Sequence, residues 1–77
     1  MDYIDDERLE LRSYTKGELA LLYSPRATRE SAIRMLNRYL HRCHGLLDEL
    51  FGLGYRADDR SFTRQQVAVI FRHLGEP

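Results

Sequence analysis

The sequence predicts a mainly α-helical fold, a small four-helix domain of helix-turn-helix type with a short, wing-like β-hairpin between the third and fourth helices. Three observations predict this fold. Apolar residues recur at helical spacing in four stretches of the chain. Capping boxes, in which a threonine and the residue three positions later each bond the other's backbone N–H, begin at Thr15 and Thr63. A polar turn flanked by aromatic residues separates the last two helical stretches.

The length of the chain, 77 residues, is enough for one domain with a thin core. Residues 1–8 are predicted to be a disordered acidic tail, because they are too polar to fold. Residues 9–77 then form the single domain. A brief alternation of polar and apolar residues at positions 9–14 predicts a short strand where this domain begins.

The first two helices are predicted over residues 16–23 and 28–43. Pro25 disfavours helical geometry at the residue before it, so the first helix ends there. Thr28 is the predicted N-cap of the second helix. The inner face of the second helix consists of apolar residues three or four positions apart: Ala32, Ile33, Leu36, Tyr39, Leu40 and Cys43.

The third and fourth helices are shorter than the second. The third is predicted to begin near Leu46 and to end at Gly52 or Gly54, in a left-handed C-cap. The fourth is predicted over residues 64–74 and ends at Gly75.

The hairpin is predicted over residues 55–62, where the sequence reads YRADDRSF. Its two aromatic residues, Tyr55 and Phe62, are expected to face each other across the paired strands. This places the hairpin beside the helices in the position that a wing takes.

The formal net charge of zero hides an uneven distribution. Residues 1–10 carry a net charge of −4, residues 11–42 carry +5 and residues 43–77 carry −1. Such asymmetry is typical of a partner-binding surface, or of an acidic arm that lies across a basic one.

The cysteine content and the absence of long apolar runs indicate the setting of the protein. One cysteine forms no internal disulfide, and no apolar run reaches the length of a membrane span. The N-terminus lacks the basic start and apolar centre of a secretory signal. We therefore expect a soluble, cytoplasmic protein that does not act at a membrane.

The basic outer face of the second helix is the main indication of function. In a helix-turn-helix, the second helix lies in the major groove of DNA with its N-terminal residues at base edges. The expected DNA contacts of this segment are Arg26, Thr28, Arg29 and Ser31 near bases or flanking phosphates, and Arg34, Arg38 and Arg42 facing phosphates further along. Exposed helix faces are charged in most proteins, so these arginines also fit a role in solubility alone.

The predicted hairpin supplies two further basic residues. Arg56 and Arg60 are expected to contact a neighbouring phosphate or to enter the minor groove. Asp58 and Asp59 at its tip oppose this, because carboxylates repel a phosphodiester. The alternative is an ordinary solvated turn.

Four side chains are candidate metal ligands: His41, Cys43, His44 and His73. A zinc site needs ligands that converge tetrahedrally, and a second cysteine pair at the usual spacing is missing. We expect no metal and no cofactor, with Cys43 acting as a small core residue.

The acidic pairs at residues 48–49 and 58–59 are adjacent in sequence, so their side chains do not converge as a catalytic pair would. The chain carries no glycine-rich phosphate loop and no nucleophile motif. We expect neither enzyme activity nor a small-molecule substrate.

Two long motifs carry a resemblance to a known family. They are YTKGELALLYSP at residues 14–25 and QVAVIFRHLGEP at residues 66–77. Further matches are Ser31-Ala32, Leu36, Leu40 and residues 50–55. Through these motifs, residues 11–77 resemble the bacterial domain-of-unknown-function family numbered 4248. The resemblance leaves the acidic tail outside the domain.

A weaker similarity concerns four shorter features: Glu-Leu-Ala at residues 18–20, the basic helix at residues 29–38, Gly-Tyr-Arg at residues 54–56 and the helix after Thr63. In this order they resemble the MerR-like and excisionase-like winged helices, which implies DNA binding. The chain differs from that pattern by an additional short helix, residues 45–52, before the wing.

The sequence leads to two functional hypotheses. The first is a small DNA-binding regulatory protein. The second is a protein–protein interaction module or dimeric adaptor that binds no nucleic acid. In the second hypothesis Leu21 and Val69, which lie off the inner faces of their helices, form a partner surface or dimer interface, and the acidic tail binds basic protein surfaces or covers the arginines.

Overall fold

The structure, a computed structural model, describes residues 10–77. Within this range the chain forms four helices and two short strands. In chain order they are β1 (Tyr14–Thr15), α1 (Lys16–Tyr23), α2 (Arg29–Arg42), α3 (Leu46–Gly52), β2 (Ser61–Phe62) and α4 (Arg64–Leu74). The four predicted helices are confirmed, with the bounds of α2 one residue inside the predicted ones. The predicted acidic tail, residues 1–8, lies outside the described residues.

Both predicted capping boxes are formed. The Thr15 hydroxyl accepts from the Glu18 N–H at 3.0 Å, and the Thr15 N–H donates to the Glu18 carboxylate at 2.9 Å. Thr63 and Gln66 make the same reciprocal pair at 3.2 and 3.0 Å. These bonds satisfy N–H groups that the first turn of a helix leaves without acceptors, and they fix where α1 and α4 begin.

The prediction of a hairpin over residues 55–62 is wrong, because residues 55–60 form no strand. Instead, β2 pairs antiparallel with β1, so that Tyr14 lies opposite Phe62. The backbone of Tyr55 is not free to pair with Phe62, because its N–H donates to the Leu50 carbonyl at 2.9 Å and closes the end of α3. Gly54, with φ of 91°, permits this closure, as the predicted left-handed C-cap requires.

The strand expected at residues 9–14 is correspondingly displaced. The observed strand covers Tyr14–Thr15, and residues 11–13 are not extended into the sheet. The aromatic contact expected between Tyr55 and Phe62 does form, with ring centroids 5.2 Å apart, but through side chains alone.

The core lies between the inner faces of the four helices and the small sheet. Its largest fully buried side chains are Phe62, Leu19, Leu36, Leu40, Leu46, Leu50, Ile70 and Val67. Val69, expected on a partner surface, is instead 7% exposed and belongs to this core, and Leu21 is partly buried against it. Cys43 also packs against the core, as expected for a small apolar residue.

Lys16 attaches the loop before β2, residues 53–60, to the start of α1. Lys16 is only 9% exposed, and its ammonium donates to the Ala57 carbonyl at 3.3 Å. The ammonium also lies over the rings of Tyr55 and Phe62, 5.1 and 5.9 Å from their centroids. Its backbone N–H donates to the Arg60 carbonyl at 2.7 Å. One residue therefore holds both ends of the loop.

The end of α1 is tied to the C-terminal segment by Tyr23. Its hydroxyl donates to the Gly75 carbonyl at 2.5 Å. Burial, together with the negative charge of Glu76, raises the pKa of Tyr23 to about 12. The hydroxyl therefore stays protonated, and able to donate, well above neutral pH.

None of the helices within residues 10–77 combines the length and the apolar character that crossing a membrane requires. The longest, α2, has 14 residues.

A cluster of three ionisable side chains joins α3 to α4. The Glu49 carboxylate accepts from Arg72 Nη2 at 2.8 Å and from His73 Nε2 at 2.6 Å. The hydrogen bond from His73 lowers the pKa of the Glu49 carboxyl below its ordinary value of 4.5, and the charge of Arg72 adds to this effect, while partial burial opposes it.

Glu49→Gln tests this cluster through the pH dependence of stability. Because the pKa of Glu49 is lowered by folding, its ionised form stabilises the native state above pH 4.5, and this contribution is lost as the pH falls further. We expect the urea midpoint of wild type to fall more between pH 6 and pH 3 than that of Glu49→Gln. Asp48→Asn, which removes the neighbouring carboxylate, is the matched control. Equal pH profiles for Glu49→Gln and wild type would contradict the assignment.

Candidate nucleic-acid interface

The exposed face of α2 carries three arginines in a row. Arg34, Arg38 and Arg42 are exposed and lie on the side of α2 opposite its buried residues, Ala32, Leu36 and Leu40. Successive arginines are about 6 Å apart along the helix axis. Within residues 10–77 no carboxylate lies within 4.0 Å of these three guanidinium groups. They form a row of positive charge that faces solvent.

Arg29, at the first position of α2, is separated from this row. It lies about 140° from Arg34 and about 180° from Arg38 around the helix axis. Its guanidinium lies against Gly17 of α1, since a Cβ added to Gly17 would be 2.4 Å from Arg29 Nε. The structure therefore places Arg29 on the flank of α2 that faces α1.

Arg60 joins Arg29 on that flank. The two side chains line one shallow cavity of about 250 Å³, together with Lys16, Gly17, Ile33 and Asp59. Arg60 therefore lies near the basic helix, as predicted for an arginine of residues 55–62, although the segment is a loop and not a hairpin.

The loop before β2 runs beside α2. At one end, Tyr55 and Ala57 line an apolar cavity of about 150 Å³ with Asn37 and His41 of α2. At the other end, Arg60 lies near the N-terminus of α2, in the cavity described above. The loop therefore follows one flank of the helix from its second half to its first turn.

Arg56 is less available for binding a phosphate than its exposed position suggests, because carboxylates lie close to it. Its guanidinium lies 3.8 Å from the Asp58 carboxylate, in an exposed pair that contributes little stability. Its backbone N–H donates to Asp59 Oδ2 at 2.9 Å, and the Asp59 N–H donates to the Arg56 carbonyl at 2.9 Å. Both aspartates that oppose phosphate binding are thus held close to Arg56.

Arg26 lies on the opposite flank of α2 from Arg60. It borders a cavity formed by the connection between α1 and α2 and by Met35. Met35 lies on the Arg26 side of α2 and Ile33 lies on the Arg60 side. The two residues are about 160° apart around the axis of α2. The structure does not bring Arg26 and Arg60 together.

The hydroxyl of Thr28 caps α2, as predicted. It accepts from the Ser31 N–H at 3.1 Å, and Ser31 is partly buried. Both residues were expected near bases, but the Thr28 hydroxyl has a structural role as the cap, and Ser31 takes part in it through its backbone N–H.

Three of the four candidate metal ligands contact other groups. His41 Nδ1 bonds the Asn37 carbonyl at 2.9 Å, Cys43 Sγ lies 4.0 Å from the His73 carbonyl, and the His73 ring bonds Glu49. In the part of the chain that the structure describes, no three His, Cys, Asp or Glu side chains are grouped to hold a metal ion.

Lys16 and Gly17 were missed as site residues, although both line the cavity with Arg29 and Arg60. The sequence placed them only as the first two residues of α1. Glycine has a much lower helix propensity than alanine. Its presence there is the signal that indicates a close approach by another group.

The fold and this surface define a small, mainly helical domain with one basic helix on its exterior. The family model described as "Domain of unknown function (DUF4248)" matches residues 10–77, so the chain belongs to this family, as its motifs predicted. Comparison with curated proteins and with solved structures finds no match to either. The similarity to winged helices stays a prediction.

Thr28→Ala tests whether this residue acts as a cap. Loss of the hydroxyl leaves the Ser31 N–H without its acceptor, and we expect the free energy of unfolding to fall by about 1 kcal/mol. Thr28→Ser keeps an acceptor and is the control. Chemical denaturation of both variants checks the expectation, and an unchanged midpoint for Thr28→Ala would leave the hydroxyl free for a different role.

Proposed function

We propose that the protein is a small DNA-binding regulatory protein that contacts the phosphate backbone of a duplex through α2. The observation that carries the proposal is the row of exposed arginines, Arg34, Arg38 and Arg42, for which residues 10–77 provide no carboxylate within 4.0 Å. Arginine binds phosphate oxygens through a planar fork of donors, and such contacts supply most of the affinity in non-specific binding.

The charge of the family-matched segment supports the proposal. Residues 10–77 contain eleven Lys and Arg and eight Asp and Glu, which gives a formal charge of +3. Three other arginines of this segment have carboxylate partners, among them Arg12 with Glu18 and Arg72 with Glu49. Positive charge is therefore concentrated where α2 faces solvent, and a polyanion would be drawn to that side.

The shape of this surface supports it as well. An α-helix with its side chains is about 10–12 Å wide, which matches the width of the major groove, about 12 Å. The inner side of α2 is buried, so the helix has one side to offer to a groove. The loop that carries Arg60 lies beside it, where it would face the adjacent backbone.

The expected binding is dominated by phosphate contacts. Thr28, one of the two predicted base-contacting polar residues of the first turn, uses its hydroxyl to cap α2 by accepting from the Ser31 N–H. The arginines of α2 contact phosphates and carry no sequence information directly, so affinity should depend strongly on salt and weakly on sequence.

An interaction module is the second candidate, and one observation favours it. Phe51 and Leu53, at the end of α3, are 49% and 38% exposed. Large apolar side chains left exposed next to each other are typical of contact surfaces. The sequence predicted Leu21 and Val69 as the partner surface. The structure does not support this prediction, because Val69 is buried.

The DNA proposal is tested with Arg34→Ala/Arg38→Ala and a fluorescently labelled duplex. We expect weaker binding by anisotropy at low salt. The slope of log affinity against log salt should fall by about one unit for each phosphate group that the variant no longer binds, hence by about two. The control, Arg12→Ala/Arg72→Ala, removes the same charge from arginines that have carboxylate partners. Absence of duplex binding by wild type, or an equal reduction of affinity in both variants, would refute the proposal.

The second candidate is tested by light scattering of wild type and Phe51→Ser over a range of concentrations. A contact between copies through the end of α3 predicts a mass that rises with concentration in wild type and stays at one chain in Phe51→Ser. A constant mass of one chain for wild type would count against a dimer.

A further inference from the structure

We propose that the cavity between α1, α2 and the loop before β2 is a binding site for a phosphate group, with Arg29 and Arg60 as its ligands. The inference deepens the proposed function and rests on it for the source of the phosphate, the backbone of a duplex. The residues that line the cavity are Lys16, Gly17, Arg29, Ile33, Asp59 and Arg60.

The charges of the lining favour an anion. Three cationic side chains and one carboxylate meet there, which leaves two net positive charges. The carboxylate, Asp59, already accepts from the Arg56 N–H through Oδ2, and the Lys16 ammonium donates to the Ala57 carbonyl. Among residues 10–77, no carboxylate lies within 4.0 Å of the guanidinium of Arg29 or Arg60. These two therefore have donors left for a ligand.

Gly17 is the residue that makes room for Arg29. The Cβ of any other residue would lie 2.4 Å from Arg29 Nε and 3.0 Å from its Cζ and Nη2, so the guanidinium would have to move. The φ of Gly17 is not positive, so its backbone conformation does not require glycine. What glycine offers here is space for the guanidinium.

The N-terminal turns of two helices lie close to the positive charge of Arg29. Its side chain lies against the first turn of α1, and Arg29 is itself the first residue of α2. The N-terminal turn of a helix carries partial positive charge, which disfavours a cation. A phosphate in the cavity would reverse the sign of this interaction, because it would be attracted to the guanidinium groups and to the helix ends alike.

The cavity also lies near one end of the proposed interface. In a helix-turn-helix the N-terminal residues of the second helix approach the duplex, and Arg29 is the first residue of α2. Arg29 and Arg38 are about 180° apart around the axis of α2, so Arg29 projects away from the row of Arg34, Arg38 and Arg42 and would meet a phosphate beyond the end of the helix. Arg60, from the neighbouring loop, lines the same cavity. Two guanidinium forks from separate segments then converge on one phosphate, an arrangement in which arginine is favoured over lysine.

The experiment uses Gly17→Ala, which displaces the Arg29 side chain without changing any charge and replaces glycine by the strongest helix former. Gly52→Ala is the matched control, because a Cβ there meets nothing within 4 Å. Arg60→Gln is the second variant, which keeps the test decisive if Gly17→Ala does not fold. Thermal unfolding verifies that each variant is folded.

Two titrations are measured on the full-length chain. In the first, inorganic phosphate is added to ¹⁵N-labelled protein, and the Nε–Hε resonances of Arg29 and Arg60 should shift together. The apparent affinity should be about tenfold weaker in Gly17→Ala and in Arg60→Gln, and unchanged in Gly52→Ala. In the second, a labelled duplex should bind about tenfold more weakly to both variants than to wild type and Gly52→Ala.

The outcomes separate this inference from the proposed function. Phosphate shifts at Arg29 and Arg60 without duplex binding would support the site with a free phosphate group as its ligand, and would refute DNA binding. Duplex binding that falls in Arg34→Ala/Arg38→Ala but persists in Gly17→Ala and Arg60→Gln would overturn the site and leave DNA binding intact. Absence of phosphate shifts at the two arginines would overturn the site directly.

Discussion

The attachment of the loop before β2 to the start of α1 is the contact on which the rest of the surface depends. It consists of the β1–β2 pairing and of Lys16, which bonds the loop through both its backbone N–H and its buried ammonium. These groups are more than forty residues apart in sequence, so closing the chain between them costs conformational entropy that the aromatic contacts around Lys16 must offset. Without this attachment nothing would hold Arg60 beside α2.

Helix α2 links the core to the candidate interface. One side of it, represented by Leu36 and Leu40, is buried among the other helices, and this burial fixes the rotation of the helix about its axis. The same rotation decides which arginines face solvent. Core packing and charge presentation are therefore coupled: a change that rotated α2 to repack its apolar side would also move Arg34 and Arg38.

The pair formed by Gly17 and Arg29 departs from local preferences in two ways. A glycine occupies the first turn of α1, and a cation occupies the first position of α2, where acidic residues are favoured. Natural sequences tolerate such departures mainly at functional or strained positions. The exposed apolar pair at the end of α3, Phe51 and Leu53, is a separate departure on another part of the surface.

The sequence by itself determined the four helices, their caps and the family, because each depends on residues close together in the chain, such as Thr15 with Glu18. Tertiary structure alone decided the partner of β2. The aromatic residues Tyr55 and Phe62 predicted a local hairpin, but the Tyr55 N–H bonds the Leu50 carbonyl at the end of α3, and β2 pairs with β1 instead. Tertiary structure also decided that Val69 is buried and that Arg29 faces α1, away from Arg34. Helical spacing gives the angle between two side chains, whereas only the packing of the neighbouring elements determines which of those directions is left open to solvent.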